Sequence, residues 1–82
     1  MMNLEDTRKL IDSIDDQIIH LLIQRYDLVQ HVKSYKKKHQ LPVLDQSRED
    51  LIYQKIDSKK YNNRIKEIYQ LIMALSKDMQ QS

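Results

Sequence analysis

The 82 residues contain no cysteine, no glycine, no phenylalanine, no tryptophan and a single proline. Without cysteine there is no disulfide, no thiolate metal site and no thiol nucleophile. Without glycine, and with Pro42 alone, the chain has almost none of the turn chemistry that hairpins need, which argues against a β-rich fold and for long helices. No apolar stretch approaches the roughly 20 residues required to cross a bilayer, and MMNLEDTRKL at the start has no apolar run ahead of its charges. The expectation is a soluble, cytoplasmic protein with no membrane partner. An excess of one charge is missing too: 14 basic against 12 acidic residues leave a net charge of +2. The densest basic run is Lys36, Lys37 and Lys38, with Lys33 one turn earlier, and no nucleic-acid-reading motif accompanies it, so no nucleic-acid partner is expected. His20, His31 and His39 are not spaced four apart and have no cysteine companions, so no metal site is expected.

What the chain does have is 40% hydrophobic and 32% charged residues, arranged with a helical period. From Leu4 the positions Leu4, Ile11, Ile18, Arg25 and Val32 recur every seven residues, beside a second set at Ile14, Leu21, Leu28 and Tyr35. This heptad-like seam predicts one long helix of about 35 residues, capped by Asn3 or Asp6, that must pack against other helices or a second copy of itself. Pro42 disfavours helix at Leu41 and places a connection over 39–44. Asp45 or Ser47 can cap a short second helix carrying Leu51, Ile52 and Ile56. The polar run 57–63 reads as a break. A third helix follows, with Ile65, Ile68, Ile72, Leu75 and Met79 as its stripe and Tyr69, Met73, Ser76 and Gln80 as a second row that turns polar. Nothing divides the chain, so 1–82 reads as one all-α domain. A chain this short has little core of its own, which makes oligomerisation the natural way to bury the seam.

Arg25 stands where a leucine belongs, among Leu21, Leu22, Leu28 and Val29. Burying an unpaired cation costs several kcal/mol, on the order of 20 in the idealised limit. Three outcomes are open: the side chain reaches past its neighbours to water, an internal carboxylate pairs with it, or an anion binds there. In the third, Arg25 and Lys36 are about 16 Å apart along one helix and two long side chains can close that gap around a small ligand with more than one carboxylate. Arg8 and Arg25 are about 25 Å apart on the same scale, so Arg8 can join such a ligand only from another subunit, as in a two-fold homodimer. Asp45, Arg48 and Glu49 cluster at the start of the second helix, and Ser76 and Gln80 form a polar notch on the third.

Arg8, then IDSID, then LLIQRYDLV with Arg25, then Lys36, PVLDQSRE, and finally Ser76 with Gln80 four residues on form an ordered set over nearly the whole chain. That set resembles the all-helical class of chorismate mutases. The resemblance implies an isomerase of aromatic amino acid biosynthesis (the shikimate pathway) that converts chorismate to prephenate without cofactor or metal. It implies a three-helix protomer in an intertwined homodimer, in a free-standing, monofunctional form. Carried over by position, Arg25 would bind a substrate carboxylate, as would Arg8 from the opposite subunit. Lys36 and Gln80 would face the ether oxygen of the breaking bond, with Lys36 also touching a carboxylate. Arg48 would support carboxylate binding, Glu49 and the Asp45 region would hold the ring hydroxyl, and Ser76 would complete the pocket. Met73 and Ile52 would be apolar walls.

Two features depart from that pattern. The stretch 57–63 is shorter than the corresponding link in many members, and Lys77 stands where an apolar wall residue belongs, free either to lean outward or to add a cation to the pocket. Two other readings share the fold: an isochorismate pyruvate lyase, against which Asp45, Arg48, Glu49 and Gln80 weigh, and a non-catalytic dimerisation or regulatory module that binds chorismate-like acids without turnover.

Overall fold

A computed structural model describes residues 2–81. Met1 and Ser82, the ends of the expected 1–82 domain, lie outside the described residues. Three helices and no strand make up the described chain: α1 (Leu4–His39), α2 (Gln46–Asp57) and α3 (Asn62–Gln81). This is the all-α, long-short-medium order that the sequence implies.

α1 starts at the first of its two candidate caps. The Asn3 side chain accepts the Asp6 N–H at 2.8 Å, and Glu5 and Asp6 in the first turn oppose Lys36, Lys37, Lys38 and His39 in the last, each sign at the favourable end of the helix dipole. The helix ends when Gln40 turns into the left-handed region at φ 56°, letting the Leu41 N–H reach back to the Lys36 carbonyl at 2.8 Å. A non-glycine residue there costs about 1 kcal/mol or more. Pro42 then keeps the helix from resuming. His39 belongs to α1, so the connection runs from 40 to 45, one residue later than the sequence suggests.

Asp45, not Ser47, caps α2: its carboxylate accepts the Arg48 N–H at 3.1 Å and the Ser47 hydroxyl at 2.9 Å. The break between α2 and α3 is tight. Asn62 donates from its side chain to the Asp57 carbonyl at 3.0 Å, Lys66 forms an ion pair with Asp57, and Tyr61 takes the left-handed conformation at φ 57° that a glycine would otherwise supply. α3 therefore begins at Asn62, three residues before its first apolar stripe position.

α3 packs against both α1 and α2. The buried apolar residues are Val29, Ile56 and Met73, one from each helix, with Ser76 as a buried polar neighbour. Of the two expected rows of α3, the second contributes the buried Met73 and Ser76, and the apolar stripe is divided: Ile65, Ile72 and Met79 are half-buried, whereas Ile68 and Leu75 are exposed, with Leu71 beside them. The apolar seam of α1 is likewise exposed: Ile11, Ile14 and Ile18 are about half open to solvent. The radius of gyration, 16.2 Å, is well above the about 12 Å of a compact domain of this length. The protomer buries little of its own apolar surface.

Candidate active site

Where the second half of α1 meets α3, the connection at Val43 and the first turn of α2 close a cavity of about 330 Å3. That lies within the size range of small-ligand sites. α1 contributes Arg25 and Lys36; α3 contributes Met73, Ser76, Lys77 and Gln80, whose three- and four-residue spacing puts them on one face; the cap of α2 contributes Asp45, Arg48 and Glu49. Val29, Val32 and Val43 form apolar wall between them. Seven of the eight residues picked out from the sequence as substrate contacts therefore line one cavity. The eighth, Arg8, is exposed near the opposite end of α1 and does not line it. Of the two expected apolar walls, Met73 lines the cavity and Ile52 does not.

Arg25 is half-buried, and its contacts settle two of its three options. Nη1 donates to the Ser76 hydroxyl at 2.5 Å and Nη2 lies 3.9 Å from the Met73 sulfur. Ser76 spends its own proton on the Ile72 carbonyl at 2.7 Å, so its oxygen is oriented as an acceptor for the guanidinium. Both partners are neutral. Among the described residues no carboxylate forms an ion pair with Arg25, and the side chain does not run out to bulk water.

The two acids of the cavity are already engaged. Asp45 holds the α2 cap, and its carboxyl lies below the usual range because the Arg48 N–H and the Ser47 hydroxyl bond its charged form, with Lys36 and the Arg48 guanidinium adding attraction. Glu49, only 13% exposed, pairs with Lys77 at 3.4 Å. Lys77 thus turns inward, and the cation it brings is matched by Glu49. Lys36, half-buried, donates to the Val43 carbonyl at 2.8 Å with one of three N–H groups. Gln80 donates to the Ser76 carbonyl at 3.3 Å, while its Oε1 is buried without a donor among the described residues. The balance is four cations, Arg25, Lys36, Arg48 and Lys77, against two occupied carboxylates. A small ligand carrying two negative charges is what such a cavity attracts.

The family model of chorismate mutase type II matches residues 7–81. The chain belongs to that family. A chorismate mutase of Methanocaldococcus jannaschii is 38% identical over 53 residues, which are 65% of this chain and 54% of that protein. The chain spans about half the length of that curated relative. No solved structure matches significantly. The type II match covers all three helices apart from the first turn of α1, so it takes in Arg8 at one end and Gln80 at the other.

Sequence reasoning did not single out Val43 or predict the direction of Lys77. Val43 carries no periodic signal, because it lies in the connection and acts through its carbonyl. Lys77 is ambiguous alone, since only the placement of Glu49 on α2 decides where an ammonium on α3 settles. Among the described residues no group of three or more histidines and acids is placed to hold a metal ion, and no helix is long and apolar enough to cross a membrane.

Proposed function

We propose that this chain catalyses the rearrangement of chorismate to prephenate, and that it does so as an intertwined homodimer in which Arg8 reaches the cavity of the opposite subunit. The observation that carries this reading is Arg25: a half-buried guanidinium held, among the described residues, by a hydroxyl and a thioether, beside Lys36, Arg48 and Gln80, in a protein of the chorismate mutase type II family. The substrate's carboxylates supply the counter-charge that the protein withholds.

A unimolecular rearrangement needs no nucleophile and no proton transfer. The protein's work is to hold a compact, reactive conformer and to stabilise charge that grows on the ether oxygen as the C–O bond breaks. Arg25 and the partner's Arg8 bind carboxylates, with Arg48 and Ser76 supporting them. Lys36 keeps one N–H on the Val43 carbonyl and offers the others to the ether oxygen and a carboxylate. Gln80 offers its second amide N–H to the same oxygen while the first stays on Ser76. Glu49, neutralised by Lys77, accepts from the ring hydroxyl without repelling the dianion. The exposed seam of α1 supports the dimer, since a second copy laid along it would bury Ile11, Ile14 and Ile18 and bring Arg8 across.

The decisive assay follows loss of chorismate absorbance and identifies the product as prephenate. Pyruvate as product would indicate the lyase, and binding without turnover the non-catalytic module. Sharing of the site is tested by re-forming dimers from equal amounts of Arg8→Ala and Arg25→Ala chains. Half of random dimers are mixed and each mixed dimer has one intact cavity, so activity recovers to about a quarter of wild type. No recovery would place Arg8 outside the site.

A further inference from the structure

Two non-glycine residues of the described chain take the left-handed conformation, Gln40 at φ 56° and Tyr61 at φ 57°. Such strain persists only where the surroundings hold it, so the groups that hold each turn show what it serves. Tyr61 turns a break whose side-chain ties, Asn62 to the Asp57 carbonyl and Lys66 to the Asp57 carboxylate, involve no residue of the cavity. Gln40 turns a connection that is tied to a cavity residue, Lys36, through both its main chain and its side chain.

At the main chain, the Lys36 carbonyl accepts the Leu41 N–H at 2.8 Å, the six-to-one bond that a left-handed residue at the end of a helix makes possible. At the side chain, the Lys36 ammonium donates to the Val43 carbonyl at 2.8 Å, its one hydrogen bond among the described residues. Gln40 lies between these two ties. Rotating its backbone out of the left-handed region swings the chain that follows, and the Val43 carbonyl leaves the ammonium. Little else fixes the connection: of residues 40–45 only Val43 is half-buried, while Leu41 and Leu44 are about half open to solvent. Gln40 is itself exposed and does not line the cavity. An untied lysine side chain samples many rotamers, so an acceptor placed by the backbone organises the ammonium before a ligand arrives.

We propose that Gln40 is a positioning residue, whose left-handed turn carries the Val43 carbonyl to the Lys36 ammonium and so fixes that group in the cavity wall. The tether stands on the geometry alone; its effect on turnover rests on the function proposed above.

Gln40→Val tests the proposal, because a β-branched residue is poorly tolerated at positive φ, against Gln40→Gly and Gln40→Asn, which adopt it readily. The direct readout is the nuclear magnetic resonance of the two Lys36 Hε protons, assigned by their loss in Lys36→Met. Held by the carbonyl, the two protons are inequivalent in wild type, Gln40→Gly and Gln40→Asn, and they collapse to one shift in Gln40→Val. In steady-state assays Gln40→Val lowers kcat for chorismate about tenfold with KM within about twofold, while the glycine and asparagine variants stay within about twofold of wild type in both. A second variant, with an ester in place of the Val43–Leu44 amide, keeps every side chain and weakens the same carbonyl as an acceptor. It reproduces both changes in direction, whether or not Gln40→Val folds. Equivalent Hε protons in wild type, or inequivalence that survives in the ester variant, would overturn the tether. Collapse of the protons at unchanged kcat would overturn the effect on turnover, and a lower melting temperature of Gln40→Val with the Lys36 protons unmoved would reduce Gln40 to a helix cap. Tethered protons in a wild-type protein that does not turn over chorismate would remove the enzymatic reading and leave the tether standing.

Discussion

The two halves of α1 share one heptad rhythm and meet different ends. From Leu4 to Leu21 the seam is aliphatic and lies open, with Ile11, Ile14 and Ile18 about half exposed; from Arg25 to Lys36 the side of the helix that carries Arg25 and Val29 meets α3, with Val29 buried and both cations half-buried, while the seam residues Leu28, Val32 and Tyr35 stay exposed. The first half requires a second protein surface. The second already has one, and at the seam position where an aliphatic residue would complete the contact it carries a guanidinium held by neutral atoms. A hydrophobic period therefore says that a face will be covered, but not by what. The chemistry of its interruption supports the proposed ligand: a charge that packing tolerates with no counter-charge among the described residues suits the docking of a charged molecule.

The largest effect should come from charging the open half. Ile14→Asp combined with Ile18→Asp puts two carboxylates into the proposed apolar interface, at a cost of several kcal/mol each. Sedimentation should show monomers, and far-UV circular dichroism should show reduced helix, since a protomer with so little core holds α1 poorly by itself. A dimer of undiminished stability would mean that the seam is covered by something other than a second copy.

Next comes the closed half. Arg25→Ala removes a positioned charged donor, which should lower kcat/KM by about a thousandfold, or about 4 kcal/mol of transition-state stabilisation. Sedimentation and helix content should stay at wild-type values, because the residue's intramolecular partners are a hydroxyl and a thioether that lose little. Full activity would refute the site; a protein that falls apart would mean that Arg25 is a packing residue like its aliphatic neighbours.

A subtler contrast lies between Arg25, which has no acid partner among the described residues, and Lys77, which has one. Lys77→Met leaves Glu49 unpaired beside an incoming dianion, so the KM for chorismate should rise about tenfold, equal to about 1.4 kcal/mol, with kcat changed much less. Lys77→Arg should restore the KM by keeping the charge. Loss of kcat at unchanged KM would instead place Lys77 against the reacting atoms.

How much of this was legible in the sequence follows from which interactions are local. The ends of α1 and the start of α2 were readable because Asn3, Pro42 and Asp45 act within a few residues of themselves. The α2–α3 break showed only as a polar run, since Tyr61 makes the turn in a conformation whose usual glycine signal is absent. Both rows of α3 were readable but not their order of burial, because that helix is apolar on two sides, and a period cannot tell the side that packs within the protomer from the side left open. Arg25, Lys36, Ser76 and Gln80 stood out as polar groups on apolar faces, and their gathering in one cavity follows from the helix spacings. The inward turn of Lys77 did not stand out, because it depends on a partner 28 residues away.

The smallest effect concerns the cap that ties the connection to the site. Asp45 titrates below the usual carboxylate range because its charged form is bonded by the Arg48 N–H and the Ser47 hydroxyl. A group whose folded value is depressed contributes stability above its unfolded value, near about 3.9, and that contribution is lost as pH falls through the lower folded value. Asp45→Ala should therefore melt a few degrees below wild type at neutral pH. The gap should narrow below about pH 4 as the folded carboxyl is protonated and the charge-dependent part of the cap is lost. Asp45→Asn keeps the acceptor and discards the charge, so its melting temperature should show little of that pH dependence. If alanine and asparagine melt alike at pH 7, the geometry of the cap contributes nothing, and Arg48 and Glu49 are positioned from α3 through Lys77 rather than by the start of their own helix.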